Sequence, residues 1–410
     1  MKRLGFVCIL LLSNSILLAA DDPALHIGRI TVNAIPIYSD AEVAHGSFYS
    51  VVNVLHVQTR AALLRRFLLF HEGDRYDPAK LVETERTLRL FDFLKSASVT
   101  ASAPHDGLVD VDVVTQDAWT TDVNGDFSND GGIAAYDFDV TQKDLFGVGS
   151  ELELHLDHGV ERNANTIEFL HPAALGPYWN LDMLYSKNSD GNEEKLDLER
   201  PLFSHTTPWT ASFLFGHVLR NERIFQQGEV AARFRQEHRE LAFSRSHVLH
   251  ADENGSASVV GGFDLLDDAF SRLRGRPLDV IPQARHFRFF DVGYESTGFH
   301  FVKLDYVDRD PREQDFNLGH FTTLHAAVSP RRSGDGSAVI RLRASEGMGY
   351  AFSDHSFVIG QISASTRAPH DRNATVSLDG RSINRFETRY PQAFVTRVRL
   401  DLGWQLDRDL

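Results

Sequence analysis

The chain has 410 residues and one cysteine, Cys8. Cys8 lies in the apolar start of the chain, so a secreted mature form would have no cysteine at all. That excludes a disulfide framework, a thiolate metal site and a thiol nucleophile. After that start no stretch reaches 18 consecutive apolar residues, so no helical membrane span follows. Lys and Arg are outnumbered by Asp and Glu, giving a net charge of −15. Nucleic acid as a general partner needs clustered Lys and Arg and is excluded. No period of 40–50 residues supports a propeller. Helical periodicity is itself missing beyond Trp119.

The chain opens Lys2-Arg3, runs apolar from Leu4 to Leu18, and reaches Ala19-Ala20 before Asp21-Asp22. This reads as a signal peptide over residues 1–20, although Leu18 fits a small-residue cleavage rule poorly. A short N-terminal anchor is the other reading.

Residues 25–38 alternate as one strand, with Ile27, Ile30, Val32 and Ile35 on the apolar parity. A helix follows through Leu63, Leu64, Phe67 and Leu68, with Thr59 as its expected N-cap and Arg65-Arg66 on a solvated face. Gly73 ends it. Asp77 and Pro78 suit the cap and first position of a second helix carrying Leu81, Glu85, Leu88 and Arg89. Val99, Ala101 and Ala103 mark a strand, His105-Asp106-Gly107 a hairpin turn, and Leu108–Val114 the partner strand. Strand, helix, helix, strand, strand is a small α+β domain over 25–118, two helices covering a three-stranded sheet.

From Trp119 onward, runs of about ten residues alternate between Gly-, Asp- and Asn-rich turns. Ser150–His158, Trp179–Lys187, Trp209–Val218, Ser258–Leu265, His286–Glu295, Phe299–Val307, Ala338–Ala344, Phe357–Ser365 and Ala393–Trp404 are the clear ones. One parity is apolar. The other is polar or charged, as in Glu151, Glu153, His155 and Asp157, or Arg397, Arg399 and Asp401. A soluble sandwich would turn the apolar parity to a core, and a membrane barrel would turn it to lipid. The ~9–11-residue strands, the ionised residues at consecutive inward positions and the aromatics near strand ends (Trp119, Tyr178, Trp179, Trp209, Phe213, Tyr306, Tyr350, Trp404) favour the barrel.

The stretch Arg65–Trp119 resembles a POTRA domain of the BamA/TamA-type outer-membrane assembly and secretion family. Arg65, Leu68, Gly73, Tyr76, Leu81, Glu85, Arg86, Leu88, Arg89, the strand 97–103 and the Val-rich strand up to Asp117 carry the likeness. Asn53, Leu55, His56 and Thr59 fit its lead-in. Lys143-Asp-Leu-Phe-Gly-Val-Gly149 is similar to that family's N-L-F-G-x-G turn, with Asp144 where Asn is usual. The chain departs from the family in having one POTRA-like unit, no Arg-Gly-Phe/Tyr loop motif (Gly347-Met-Gly-Tyr-Ala is the nearest string) and no terminal aromatic after LDLGWQLDRDL.

The resemblance implies a mainly β protein: an outer-membrane antiparallel β-barrel over 119–410, with the POTRA-like domain in the periplasm of a Gram-negative-type bacterium. At roughly 20–25 residues per strand and loop, about 12–13 strands are expected, fewer than the family's usual number, which suggests a truncated barrel. The implied activity is insertion or translocation of unfolded outer-membrane or secreted polypeptides by β-augmentation. The alternative is a passive porin or structural surface barrel. The expected polypeptide-binding edge is Ser98, Val99, Thr100, Ala101 and Ser102, the partner strand 108–115 being paired on both sides. The expected first barrel strand starts Thr120, Thr121, Asp122, Val123. Besides polypeptide and outer-membrane lipid no partner is named.

Enzyme-like signals are weak, and no catalytic residue, cofactor or metal is expected. His158 falls on the opposite strand face from His155 and Asp157. Asp354-His355 lacks a Gly-x-Ser-x-Gly elbow, and Gly347-Met-Gly lacks a third glycine. Asn254-Gly-Ser and Asn373-Ala-Thr are idle glycosylation matches in such a compartment. Asp308-Arg-Asp-Pro-Arg-Glu and Asp264–Arg276 read as solvated charged loops.

Overall fold

The structure is a computed structural model that describes residues 25–38, 43–44, 50, 52–54, 56–130, 133–159, 162–226, 229–273, 282–308, 312–330, 338–368, 372–386 and 392–406. The segment read as a signal peptide lies outside the described residues.

The small domain contains strand β1 (His26–Ile35), helices α1 (Ala61–Arg65) and α2 (Pro78–Arg89), and strands β2 (Leu94–Ala101) and β3 (Leu108–Asp117). The sheet order is β1-β3-β2, with β1 parallel and β2 antiparallel to the central β3. Helix α2 begins as its sequence dictates. Pro78 occupies the first turn and the Asp77 carboxylate accepts from the Ala79 amide at 3.0 Å. Asp106 and Gly107, at φ 49° and 77°, form the left-handed pair that a tight hairpin requires.

Thr59 does not cap α1, whose cap position is Arg60 with no side-chain cap bond. Asp117 and Asp144 claim Thr59 instead: the Asp117 carboxylate takes its amide at 2.9 Å, and its hydroxyl donates to Asp144 at 2.8 Å. Nor is the Arg65-Arg66 face merely solvated. Arg65 donates to the Ile30 carbonyl at 3.0 Å and Arg66 to the Ala173 carbonyl at 3.2 Å.

Behind the small domain runs one antiparallel sheet of fifteen strands. In chain order they are β4 (Thr121–Asp130), β5 (Ile133–Leu145), β6 (Ser150–His158), β7 (Asn163–His171), β8 (Asn180–Asn188), β9 (Gly191–Arg200), β10 (Trp209–Gln226), β11 (Glu229–Asp252), β12 (Gly255–Arg272), β13 (Arg285–Gly298), and, after an inserted hairpin, β16 (Phe321–Ser329), β17 (Val339–Ser353), β18 (Ser356–Ala368), β19 (Arg372–Phe386) and β20 (Gln392–Trp404). Among the described residues the hairpin, β14 (Phe301–Asp305) with β15 (Glu313–Asn317), pairs only with itself.

Fifteen strands among the described residues exceed the 12–13 expected. Turns such as 189–190 and 253–254 are shorter than the estimate allowed. One expected wall strand, Phe299–Val307, is also reassigned: its centre is β14, off the sheet. Asp264 lies within β12 rather than in a charged loop, facing Arg341 at 2.9 Å.

The polarity of this sheet is inverted relative to a soluble protein. Registered neighbours form apolar rows across it. One row runs Leu181, Leu198, Phe213, Phe243, Phe263, Phe290, Val328, Ile340 from β8 to β17. Another runs Tyr294, Leu324, Ala344, Ala364, Val376, Leu402 from β13 to β20. Members of this parity are exposed: Leu154, Leu156, Phe290, Val292, Leu324, Leu342, Val398 and Leu400 among them. The opposite parity pairs Thr141 with Glu153, Glu153 with Glu168, Asp182 with Asp197, and Arg381 with Arg397. Water does not stabilise registered rows of exposed Leu, Phe and Val, whereas hydrocarbon does.

Candidate functional site

Three features bear on polypeptide handling: the free edge of β2, the two edges of the large sheet, and the joint that holds the small domain to it.

Strand β2 is a sheet edge, and Ser98, Val99, Thr100 and Ala101 lie on it; Ser102 follows the strand and still donates to the Asp110 carbonyl at 2.8 Å. Alternation along the ladder then turns the Thr100 amide toward β3 and those of Val99 and Ala101 outward. The Val99 amide already has a partner, the Glu85 carboxylate of α2 at 3.0 Å. Thr100 is therefore the wrong position for edge pairing, and Ala101 the right one.

Among the described residues the outer strands of the large sheet, β4 and β20, each pair on one side only. Among the described residues no register joins β20 to β4. Because every neighbouring pair is antiparallel and the strand number is odd, β4 and β20 run in the same direction. A direct closure would have to be parallel, whereas one added strand could run antiparallel to both. Thr121, Asp122 and Val123 open β4, while Thr120 precedes it, buried, its carbonyl accepting from the Lys143 amide at 2.8 Å. Asp122 faces inward, ion-paired with Lys143, and Val123 is exposed on the apolar face.

The small domain is gripped by the ends of several strands. The turn 146–149 between β5 and β6 carries positive φ at Phe146, Gly147 and Gly149. A Cβ on Gly147 would stand 2.4 Å from the Gln58 carbonyl oxygen, so only glycine lets the two backbones meet; the Gly147 carbonyl accepts from the Arg60 amide at 3.0 Å. Asp144 fixes this turn by accepting from the Gly149 amide at 2.6 Å and the Thr59 hydroxyl at 2.8 Å.

The loop 172–179 adds Tyr178, whose hydroxyl donates to the Phe67 carbonyl at 2.6 Å and whose ring stacks on Phe203 at 3.8 Å. Burial, with a smaller contribution from Glu83, pushes the Tyr178 phenol above its ordinary value, so it stays a neutral donor. Tyr178 and Ala173 join the small domain's own core with Phe67, Leu64 and Leu88. Sequence reading placed Tyr178 in an interfacial girdle; it is instead a joint residue, and its positive φ of 65° marks a built turn.

Hairpin β14–β15 grips the other side. Arg89 of α2 makes a bidentate pair with Asp315, both contacts 2.8 Å, and also pairs with Glu85. Burial alone would lower the Arg89 guanidinium, but Asp315 and Glu85 hold it above its ordinary value. Arg86 lies 3.8 Å over the Phe301 ring. Of the segment read as the solvated loop 308–313, residues 309–311 lie outside the described residues, and two described ones are committed: Asp308 pairs with Arg381, and Arg312 lies 3.6 Å from Asp92.

The two histidines weighed as metal ligands fall on opposite faces of β6. His155 faces inward beside Asp137 and Asp139, while His158 stacks on Tyr136 at 5.0 Å on the other face. Among the described residues no group of three His, Cys, Asp or Glu side chains could hold a metal ion.

Neither a protein-family model nor a curated protein sequence matches the chain. The chain is similar to BamA and CdiB. BamA from Haemophilus ducreyi lacking POTRA domains 1–3 aligns at 12% identity and TM-score 0.36, over 92% of this chain and 72% of that one. CdiB from Acinetobacter baumannii aligns at 11% and 0.34, over 93% and 74%. CdiB from Escherichia coli aligns at 11% and 0.35, over 92% and 76%. Likeness at this level bears no further weight, and the membrane reading rests on the apolar rows.

Proposed function

We propose that this is an outer-membrane β-barrel protein that helps insert or translocate polypeptides by offering them a strand edge. The observation that carries the reading is strand β4, which among the described residues pairs on one side only, on a sheet with an apolar outer face. Its open side can bond one extended segment antiparallel. Main-chain pairing makes little sequence demand, which suits varied clients. The resemblance of Arg65–Trp119 to a POTRA domain points the same way and supports a periplasmic position for the small domain. Its edge at Ala101 would be a first holding point. The only energy the process needs is the client's own folding free energy.

The test is assisted folding. Purified protein in lipid vesicles is mixed with a urea-diluted small barrel protein, and client folding is followed by heat-modifiable gel mobility. The account expects faster folding than in protein-free vesicles, with Ala101→Pro lowering the gain and leaving the protein's own mobility unchanged. Equal client rates with and without the protein, together with a steady ion conductance, would establish a passive pore instead.

A further inference from the structure

The hairpin β14–β15 is longer than any nearby turn needs. It lies at the end of the sheet that meets the small domain, where 146–149, 172–179 and 201–208 also lie. It is built to touch two things. One face carries Leu304 and, at its exit, Leu318, which form a buried cluster with Phe357 of β18 and Ile383 of β19. Val302, Phe316 and Ile359 pack against that cluster. Phe357, Ile359 and Ile383 belong to the parity that elsewhere carries Asp379, Arg381 and Arg397, so the hairpin sits against the inner wall. Asp305 and Asp308 add ion pairs to Arg385 and Arg381 of β19. The other face carries Asp315 and Phe301, which meet Arg89 and Arg86 of α2. Arg89 in turn holds Glu85, whose second oxygen occupies the Val99 amide on the free edge of β2.

We propose that β14–β15 is a clasp. It narrows the barrel mouth from inside, anchors helix α2 across that mouth, and through Arg89 and Glu85 keeps the β2 edge partly capped. Undocking the hairpin would free the mouth and the Val99 amide together. The two halves of its grip differ in kind. The inner-wall half joins a buried apolar cluster to two ion pairs, while the α2 half is an ion pair with a ring contact and no apolar cluster, the part that a competing charged or extended segment can displace. The inference concerns the mouth itself and stands whether the chain inserts polypeptides or conducts solutes.

The experiment uses the full chain in lipid vesicles and compares it with Asp315→Asn, which keeps the side chain's size and removes its charge. Hydrogen exchange read by mass spectrometry should rise about tenfold or more in peptides spanning 301–317 and 97–101, with 108–117 unchanged. Conductance across a planar bilayer should rise in parallel. As a control against misfolding, the pair Arg86→Cys and Phe301→Cys, joined by a short bismaleimide in a Cys8→Ser background, should return both readouts to the parent level when combined with Asp315→Asn. Unchanged exchange in 301–317 overturns the clasp. Increased exchange in 301–317 with none in 97–101 overturns its coupling to the edge, and an unchanged conductance overturns its hold on the mouth.

Discussion

Asp144 carries the joint between the small domain and the sheet, and its replacement has a magnitude that follows from the structure. Its side chain is buried, at 1% exposure, and accepts from two donors on different elements, the Gly149 amide and the Thr59 hydroxyl. Asp144→Ala orphans both. An unsatisfied buried donor costs about 1–3 kcal/mol, so the pair costs about 2–6 kcal/mol, reduced by relief of the carboxylate's own desolvation. Asp144→Asn behaves differently. Its carbonyl oxygen can keep the Gly149 amide while its NH2 donates to the Thr59 oxygen, so the loss should stay within about 1 kcal/mol. The assay is hydrogen exchange in peptides spanning 56–60 and 146–150 of the full chain in vesicles. Alanine should speed exchange in both by a factor of ten or more, and asparagine by less than about fivefold. Equal effects from the two substitutions, or no change with alanine, would refute the assignment of Asp144 as a two-donor anchor.

Other outcomes follow from the same geometry. Leu154→Arg puts a charge on the apolar face at mid-strand and should cost about 2–4 kcal/mol in urea titrations of the vesicle-embedded protein, whereas His155→Arg, one residue along on the inner face, should cost about 1 kcal/mol or less. Tyr178→Phe keeps the stack on Phe203 but orphans the Phe67 carbonyl, and should lower small-domain stability by about 1–3 kcal/mol in thermal unfolding. Gly147→Ala places a methyl against the Gln58 carbonyl at a positive φ and should loosen the same joint, seen as faster proteolysis between the small domain and β4.

Much of this architecture was written locally in the sequence. Asp77-Pro78 and Asp106-Gly107 act within a few residues, so the α2 start and the β2–β3 hairpin could be read directly. Strict alternation over Ser150–His158 gave that strand its observed bounds. What escaped depends on distant partners. Thr59 looks like a helix cap until Asp117 and Asp144 fold against it. Asp308 and Arg312 look like solvated loop charges because Arg381 and Asp92 are far away in sequence. Val99 looks like a free edge residue until Glu85 reaches it from the facing helix. A signal for the hairpin did exist: Phe357, Ile359 and Ile383 break the polar parity of β18 and β19, and an apolar inner wall must be covered by something. The strand count missed because turns as short as 253–254 leave more residues for walls.

The central claim is that the exposed apolar rows face lipid. It is tested most directly by single-cysteine nitroxide scanning along β6 in a Cys8→Ser background, the sequence offering no other thiol. In vesicles, labels at positions 152, 154 and 156 should be accessible to oxygen and shielded from a water-soluble nickel reagent, and labels at 151, 153 and 155 should show the reverse. A two-residue alternation of that phase is the predicted result. Uniform water accessibility along the strand, or alternation of the opposite phase, would contradict the account.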